Sequence, residues 1–293
     1  MDIAVPEPHP QLALPLTVAR PLRQTAPIVF VSAHSGCRYL PDFVASARLD
    51  PLSLRRSEDS FVDELFADAP AYGAPLLSAT FPRAFCDANR EAWELDPAMF
   101  EDELPAWVNT TSPRVCAGLG TIARVVATGE AIYRGRLRFA EAERRVRECW
   151  QPFHDTLAAL IDGTRASFGA CLLIDCHSMP ANGTGRGGDI VLGDAHGTSC
   201  SPAATRAVEG ALTRLGYMVR RNDPYAGGFI TRHYGRPREG VHALQVEIAR
   251  NLYMDEARIE RLPRFASVQR DMTTLIEGLV SQAGHLLGLS KDR

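Results

Sequence analysis

The sequence predicts an α/β fold around a largely parallel sheet, and three observations carry that reading. Four apolar runs rich in β-branched residues, at positions 27–33, 75–80, 170–176 and 241–248, are bounded by polar or turn residues and read as buried strands. Longer stretches of helical periodicity lie between and beyond them, at 59–71, 114–129, 138–168, 201–215 and 264–286. The alternation of the two types is the third observation, because strands separated by helices pair in parallel with the helices as crossovers.

The helix starts are chemically sensible. Ser57 precedes Asp59 and Asp63, which are acidic residues in a first turn where the helix dipole favours them, and Ser201-Pro202 is a cap followed by a proline at the first helical position. Residues 178–197 and 222–240 are too rich in Gly, Pro, Asn and Asp to be regular, and loops of that length in a compact domain are usually functional. No internal repeat or low-complexity linker divides the chain. The expected organisation is an extended N-terminal arm over residues 1–26 and one α/β domain over 27–293.

Composition narrows the function class. Hydrophobic residues make up 45% and charged residues 23%, an ordinary globular balance. With 32 basic and 35 acidic residues the net charge is -3, which gives no reason to expect a nucleic acid or an anionic membrane as partner. The basic stretch 134–147 is interleaved with Glu141 and Glu143 and reads as a solvated helix face. Seven scattered cysteines without a CxxC pair argue against a disulfide framework. The first 22 residues contain acidic residues and prolines and lack an apolar core, so they do not resemble a signal peptide, and no run is long enough for a membrane span. A cytoplasmic enzyme acting on a small molecule is the expectation.

Two strand ends carry the sharpest chemical signal. The runs PIVFVSAHSG and LLIDCHSMP end in His34 and His177, and in parallel sheets ligands gather at the carboxyl ends of strands. If these strands are neighbours, both imidazoles reach one point, and a hydrolytic zinc usually adds a third ligand, often a carboxylate. Asp59, Asp63 and Asp175 are the candidates. Asp59 and Asp63, spaced i and i+4, are expected on one helix face, whereas Asp175 shares a strand face with His177 and suits an orienting role. The stretch FPRAFCDANREA brings Arg83, Asp87, Asn89 and Arg90 together, residue types that bind a carboxylate and polarise a carbonyl. Glu247 lies among Leu244, Val246 and Ile248, where burial would raise its pKa toward that of a general base.

In this order, the blocks VSAHSG, DSFVDELF, PRAFCDANR, LIDCHSMP, GDIVLGD, NDPYAGGFITRHYG and HALQVEIARNLYMDE resemble the N-formylglutamate amidohydrolase family, a branch of the zinc-carboxypeptidase-like hydrolases; the likeness runs over residues 29–255. The resemblance implies a three-layer α/β/α fold with a mixed, largely parallel sheet and one zinc ion per chain, held by His34 and His177. The wider group has a glutamate three residues after the first histidine, where this chain has Cys37. The expected carboxylate ligand is therefore Asp59, with Asp63 second and a Cys37 thiolate third. By the same likeness Glu247 is the general base, Arg83 polarises the scissile carbonyl, and Asn89 and Arg90 hold a substrate carboxylate. The loops carrying Arg186, Arg220, Tyr225, Arg232 and His233 would line the substrate end, with Gly183, Gly185, Gly187, Gly188, Gly227 and Gly228 allowing close approach. The implied reaction is hydrolysis of N-formyl-L-glutamate to formate and L-glutamate. The competing readings are a zinc hydrolase for another N-acyl amino acid, peptide or amide, and a metal-free carboxylate-binding module.

Overall fold

The four apolar runs become inner strands of a seven-stranded sheet in the computed structural model, which describes residues 14–181 and 188–289. In chain order the strands are β1 (Leu16–Ala19), β2 (Ile28–Ser32), β3 (Leu76–Ala79), β4 (Cys171–Met179), β5 (Ile190–Gly193), β6 (Val219–Arg221) and β7 (Val241–Ala249). Across the sheet the order is β1-β3-β2-β4-β7-β5-β6. The pairings β3/β2, β2/β4, β4/β7 and β5/β6 are parallel; β1/β3 and β5/β7 are antiparallel. The strands that end at His34 and His177, β2 and β4, are therefore neighbours, and the sheet is mixed and mostly parallel.

The helices are α1 (Pro41–Ser46), α2 (Pro51–Arg55), α3 (Val62–Leu65), α4 (Pro113–Cys116), α5 (Phe139–Arg145), α6 (Gln151–Phe168), α7 (Pro202–Arg214), α8 (Phe229–Tyr234) and α9 (Phe265–Leu286). They cover both faces of the sheet, which makes the three-layer arrangement. Ile28, Phe30, Ile174 and Val246 pack with Val208 and Leu212 of α7 and Met272 and Ile276 of α9. Val29, Val31, Leu173 and Ala243 pack on the other face with Phe153, Leu157 and Ile161 of α6. These side chains are fully or almost fully buried, and each large one contributes roughly 1.5–3 kcal/mol by leaving water. No described helix is long and apolar enough to cross a membrane.

Alternation along the strands places the chemistry. On the α6 face, β4 presents Cys171 and Leu173 and β7 presents Val241 and Ala243, all buried in one apolar cluster. Two residues on, in the same period-two rows, come Asp175 and His177 of β4 and Gln245 and Glu247 of β7. The parallel register sets Asp175 beside Gln245 and His177 beside Glu247. The face that is core at one end of the sheet becomes a polar site at the carboxyl ends of the strands.

Several expected elements differ. Residues 59–71 do not form one helix: Phe61 adopts the left-handed region at φ 67, α3 spans four residues, and Ala69–Tyr72 is a 310 turn containing Pro70. Asp59 lies before α3 rather than within it, so it and Asp63 do not share a helix face. The expected helix over 114–129 is confined to α4, because Gly118 takes φ 75 and Gly120 packs its backbone against the Glu94 carbonyl, where a Cβ would stand 2.2 Å from the oxygen. The 138–168 helix is present but contains a π turn, Val146–Trp150, immediately before Pro152. The basic stretch 134–147 is not a wholly solvated face. Arg145 is 2% exposed and donates to the Phe85 carbonyl at 3.0 Å and to the Tyr133 hydroxyl. The irregular stretches also contain structure the sequence hides: β5 lies in 178–197 and α8 in 222–240. Part of the N-terminal arm is the edge strand β1.

Candidate active site

The loop after β2 carries His34, 2% exposed, and its carbonyl accepts the backbone N–H of Asp59 at 3.0 Å. That contact brings the segment before α3 over the sheet end and aims Asp59 at both imidazoles. Asp59 Oδ2 lies 2.9 Å from His177 Nδ1 and 3.4 Å from His34 Nδ1, and the two rings stand edge to face with centroids 4.8 Å apart. All three residues are buried, and one ligand atom from each falls within 4.8 Å of the others. Asp63 and Cys37 are not in this group. Cys37 is exposed, and the Asp63 N–H donates to Ser35 Oγ at 3.1 Å.

The outer nitrogens are held by other carboxylates. Asp87 Oδ1 lies 2.7 Å from His34 Nε2, and Asp175 Oδ1 lies 2.8 Å from His177 Nε2. His34 thus donates from Nε2 to Asp87 and turns its Nδ1 toward Asp59, and His177 is oriented the same way, with Asp175 at Nε2 and Nδ1 toward Asp59, the arrangement in which a carboxylate orients a metal-binding histidine. His34 Nδ1 has no hydrogen-bond partner although it is buried. An orphaned acceptor of this kind is costly unless something binds it. Two imidazole nitrogens and one carboxylate oxygen converging on one point fit a divalent ion of the zinc type, with a position left for water.

Asp59 is further shaped by Arg250, whose guanidinium donates to Asp59 Oδ1 at 3.0 Å, to Ser178 Oγ at 3.2 Å and to the Arg56 carbonyl at 3.2 Å. One buried side chain therefore ties the segments of Asp59 and His177 together and occupies the carboxylate oxygen that does not face the imidazoles. Burial works against charge on Asp59, but the hydrogen bond with His177 and the nearby imidazole of His34 outweigh it and hold the carboxyl well below its ordinary range. Asp87 behaves alike: burial is overcome by the charge of Arg83 and by His34.

Glu247 sits beside His177 and accepts from Gln245 Nε2 at 2.7 Å. Burial pushes its pKa up to about 7. Arg83 donates to Asp87 Oδ2 at 2.8 Å, and the charges of Asp87 and Asp59 more than offset the burial that disfavours its own. Asn89 and Arg90 line the same cavity, yet much of their hydrogen-bonding capacity serves the fold. Asn89 Oδ1 accepts the Ile230 N–H at 2.8 Å, while Arg90 donates from Nε to the Leu119 carbonyl at 2.8 Å and from Nη1 to the Asn89 carbonyl at 2.7 Å. Gly228 is required opposite Asn89, because a Cβ there would meet its amide at 2.3 Å. The 82–90 segment is also propped from α6 and the π turn before it: His154 Nε2 lies 2.8 Å from the Ala88 carbonyl, and Trp150 Nε1 donates to the Arg90 carbonyl at 2.9 Å.

These residues line a cavity of about 400 Å³ that includes His34, Asp59, Arg83, His177, Tyr225 and Glu247. Gly227, Gly228 and Arg232 contribute to its wall, with Arg232 Nε donating to the Gly227 carbonyl at 3.3 Å. Arg220 and His233 are not part of the wall: Arg220 pairs with Asp223, and His233 stacks on Phe229 at 4.8 Å. Arg186, Gly183, Gly185 and Gly187 lie outside the described residues. Two contributors were not readable as such beforehand. Asp87 was visible only as one polar residue among several, and Arg250 gave no local signal, since its role depends on three segments meeting.

Comparison with known proteins places this site in a family. Residues 26–254 match the family model described as N-formylglutamate amidohydrolase. N-formylglutamate deformylase of Pseudomonas putida is 30% identical over 237 residues, covering 78% of this chain and 82% of the relative. The Pseudomonas aeruginosa deformylase is 32% identical over 242 residues, covering 80% and 84%. The crystal structure of N-formylglutamate amidohydrolase from Ralstonia eutropha JMP134 is 38% identical and superposes with a TM-score of 0.87 over 92% of this chain and 99% of that one. Agreement of sequence, fold and ordered blocks over most of the chain leads to one conclusion: it belongs to the N-formylglutamate amidohydrolase family, hydrolases of amide C–N bonds.

Proposed function

We propose that this chain is a zinc-dependent deformylase that hydrolyses N-formyl-L-glutamate to formate and L-glutamate. The observation that carries the metal is the buried, unpartnered His34 Nδ1 facing Asp59 Oδ2 and His177 Nδ1. The names of the Pseudomonas relatives support the substrate. His34, Asp59 and His177 would hold the ion, which when bound supplies Lewis acidity toward water and the formyl oxygen.

The remaining groups do the rest. Glu247, ionised and held by Gln245, accepts the proton of the attacking water as the new C–O bond forms. Arg83 spends one amino group on Asp87 and keeps N–H donors for the negative charge that develops on the formyl oxygen. The proton then passes from Glu247 to the amide nitrogen as the C–N bond breaks, releasing formate and the amino group. Arg90, Asn89, Tyr225 and Arg232 form the wall that receives the amino-acid part, with the arginines suited to carboxylates. All seven cysteines are free, which suits the reducing cytoplasm.

Formate release from a panel of N-formyl amino acids tests this reading. The expected result is highest kcat/KM for N-formyl-L-glutamate, with neutral side chains at least about 10-fold poorer, since a charged hydrogen bond contributes about 1.5–3 kcal/mol. Equal turnover across the panel would move the chain to the wider class of N-acyl amino acid hydrolases.

A further inference from the structure

We propose that Arg114 is the residue that recognises the side-chain carboxylate of the substrate. This rests on the deformylase reading and extends it to a segment that none of the recognisable sequence blocks covers. The cavity wall carries five arginines, Arg83, Arg90, Arg114, Arg232 and Arg250, against three acidic residues, Asp59, Asp87 and Glu247. That excess of positive charge grows when a divalent ion binds, so the site is built for a ligand with more than one negative charge.

Four of the five arginines already have partners. Arg250 is held by Asp59, Ser178 and the Arg56 carbonyl, and Arg83 by Asp87. Arg90 is held by the Leu119 and Asn89 carbonyls, and Arg232 reaches the Gly227 carbonyl. The Arg114 guanidinium makes no hydrogen bond or ion pair among the described residues. It is an unspent planar fork at the wall of a binding cavity, the geometry that captures a carboxylate bidentately.

From the His34 imidazole, hydrogen bonds and ion pairs lead through Asp87 to Arg83 and Arg90, and Arg114 lies in the same cavity wall, near enough to Arg90 for their like charges to repel. Burial and the like charges of Arg83 and Arg114 disfavour the charge on Arg90 more than Asp87 favours it, so an anion arriving beside Arg90 and Arg114 relieves a cost present in the free protein. Leu119, Ala123 and Val125, from the irregular segment that follows α4, supply an apolar strip along the cavity. Such a strip matches the two methylenes that separate the carboxylate of a glutamyl side chain from its backbone.

The experiment compares kcat and KM for N-formyl-L-glutamate and N-formyl-L-glutamine, which differ in side-chain charge and little in shape, in wild type, Arg114→Gln and Arg114→Lys. Arg114→Gln is expected to lose roughly 10- to 100-fold in kcat/KM on the glutamate substrate, mostly through KM, and little on the glutamine substrate. Arg114→Lys should recover part of the preference, and metal content and Tm should stay at wild-type values because the side chain is exposed. An unchanged glutamate-to-glutamine ratio in Arg114→Gln would overturn the proposal while leaving the deformylase reading standing. Failure of that reading is seen separately, as no formate from wild type with N-formyl-L-glutamate, and it removes this proposal as well.

Discussion

Glu247→Gln is expected to lower kcat by about 10²- to 10⁴-fold while the protein keeps its metal, since it deletes a proton acceptor and leaves His34, Asp59 and His177 intact. The substitution preserves shape, and the amide still meets Gln245. The pH profile gives an independent check. A general base must be ionised to act, and burial pushes Glu247 up to about 7, so wild-type kcat/KM should fall as pH drops through that region. The residual activity of Glu247→Gln should lack that limb. Measuring rate and metal content on the same preparations separates loss of the base from loss of the ion. Near-wild-type turnover in the variant would remove Glu247 from the chemistry.

His177→Ala has the second large expected effect, and it falls on binding rather than on turnover of loaded enzyme. Removing one of the three proposed ligands should weaken zinc by more than the roughly 10- to 100-fold typical for loss of an outer partner, and Asp87→Asn, which leaves the ligand set intact while weakening the hydrogen bond to His34 Nε2 and the ion pair with Arg83, should keep zinc affinity within that smaller range. Competition with a chromophoric chelator reports both. Full zinc occupancy in His177→Ala at chelator concentrations that leave wild type loaded would show that His177 is not a ligand.

Much of the fold was legible because the relevant signals are local. The runs around Val29, Leu77, Leu173 and Leu244 are apolar in both side-chain directions, as strands covered on both faces must be. The edge strands β1 and β6 were not legible: Leu16–Ala19 and Val219–Arg221 are half exposed and carry no comparable run. The segment after Arg114 has helical periodicity in its apolar residues, yet Gly118 and Gly120 are fixed by tertiary contacts with Arg124 and Glu94 that no local pattern announces.

The site divides the same way. His34, His177 and Glu247 stand out because a polar residue at the end of an apolar strand is visible in one dimension. Asp59 was reached by a spacing argument that the structure does not support: it is held by the backbone bond to His34 and by Arg250, and the helix invoked for it starts three residues later. Asp87 and Arg250 act through partners 53 and 191 residues away, which is why neither role could be read from its neighbours.

The proposed dependence of formate release on an ion held by His34, Asp59 and His177 is open to direct measurement. Its most direct test is turnover of N-formyl-L-glutamate by chelator-stripped protein before and after stoichiometric zinc is restored. Activity should vanish on stripping and return with about one equivalent of zinc per chain. Full turnover by protein shown to be metal-free would rule out a catalytic ion at this site.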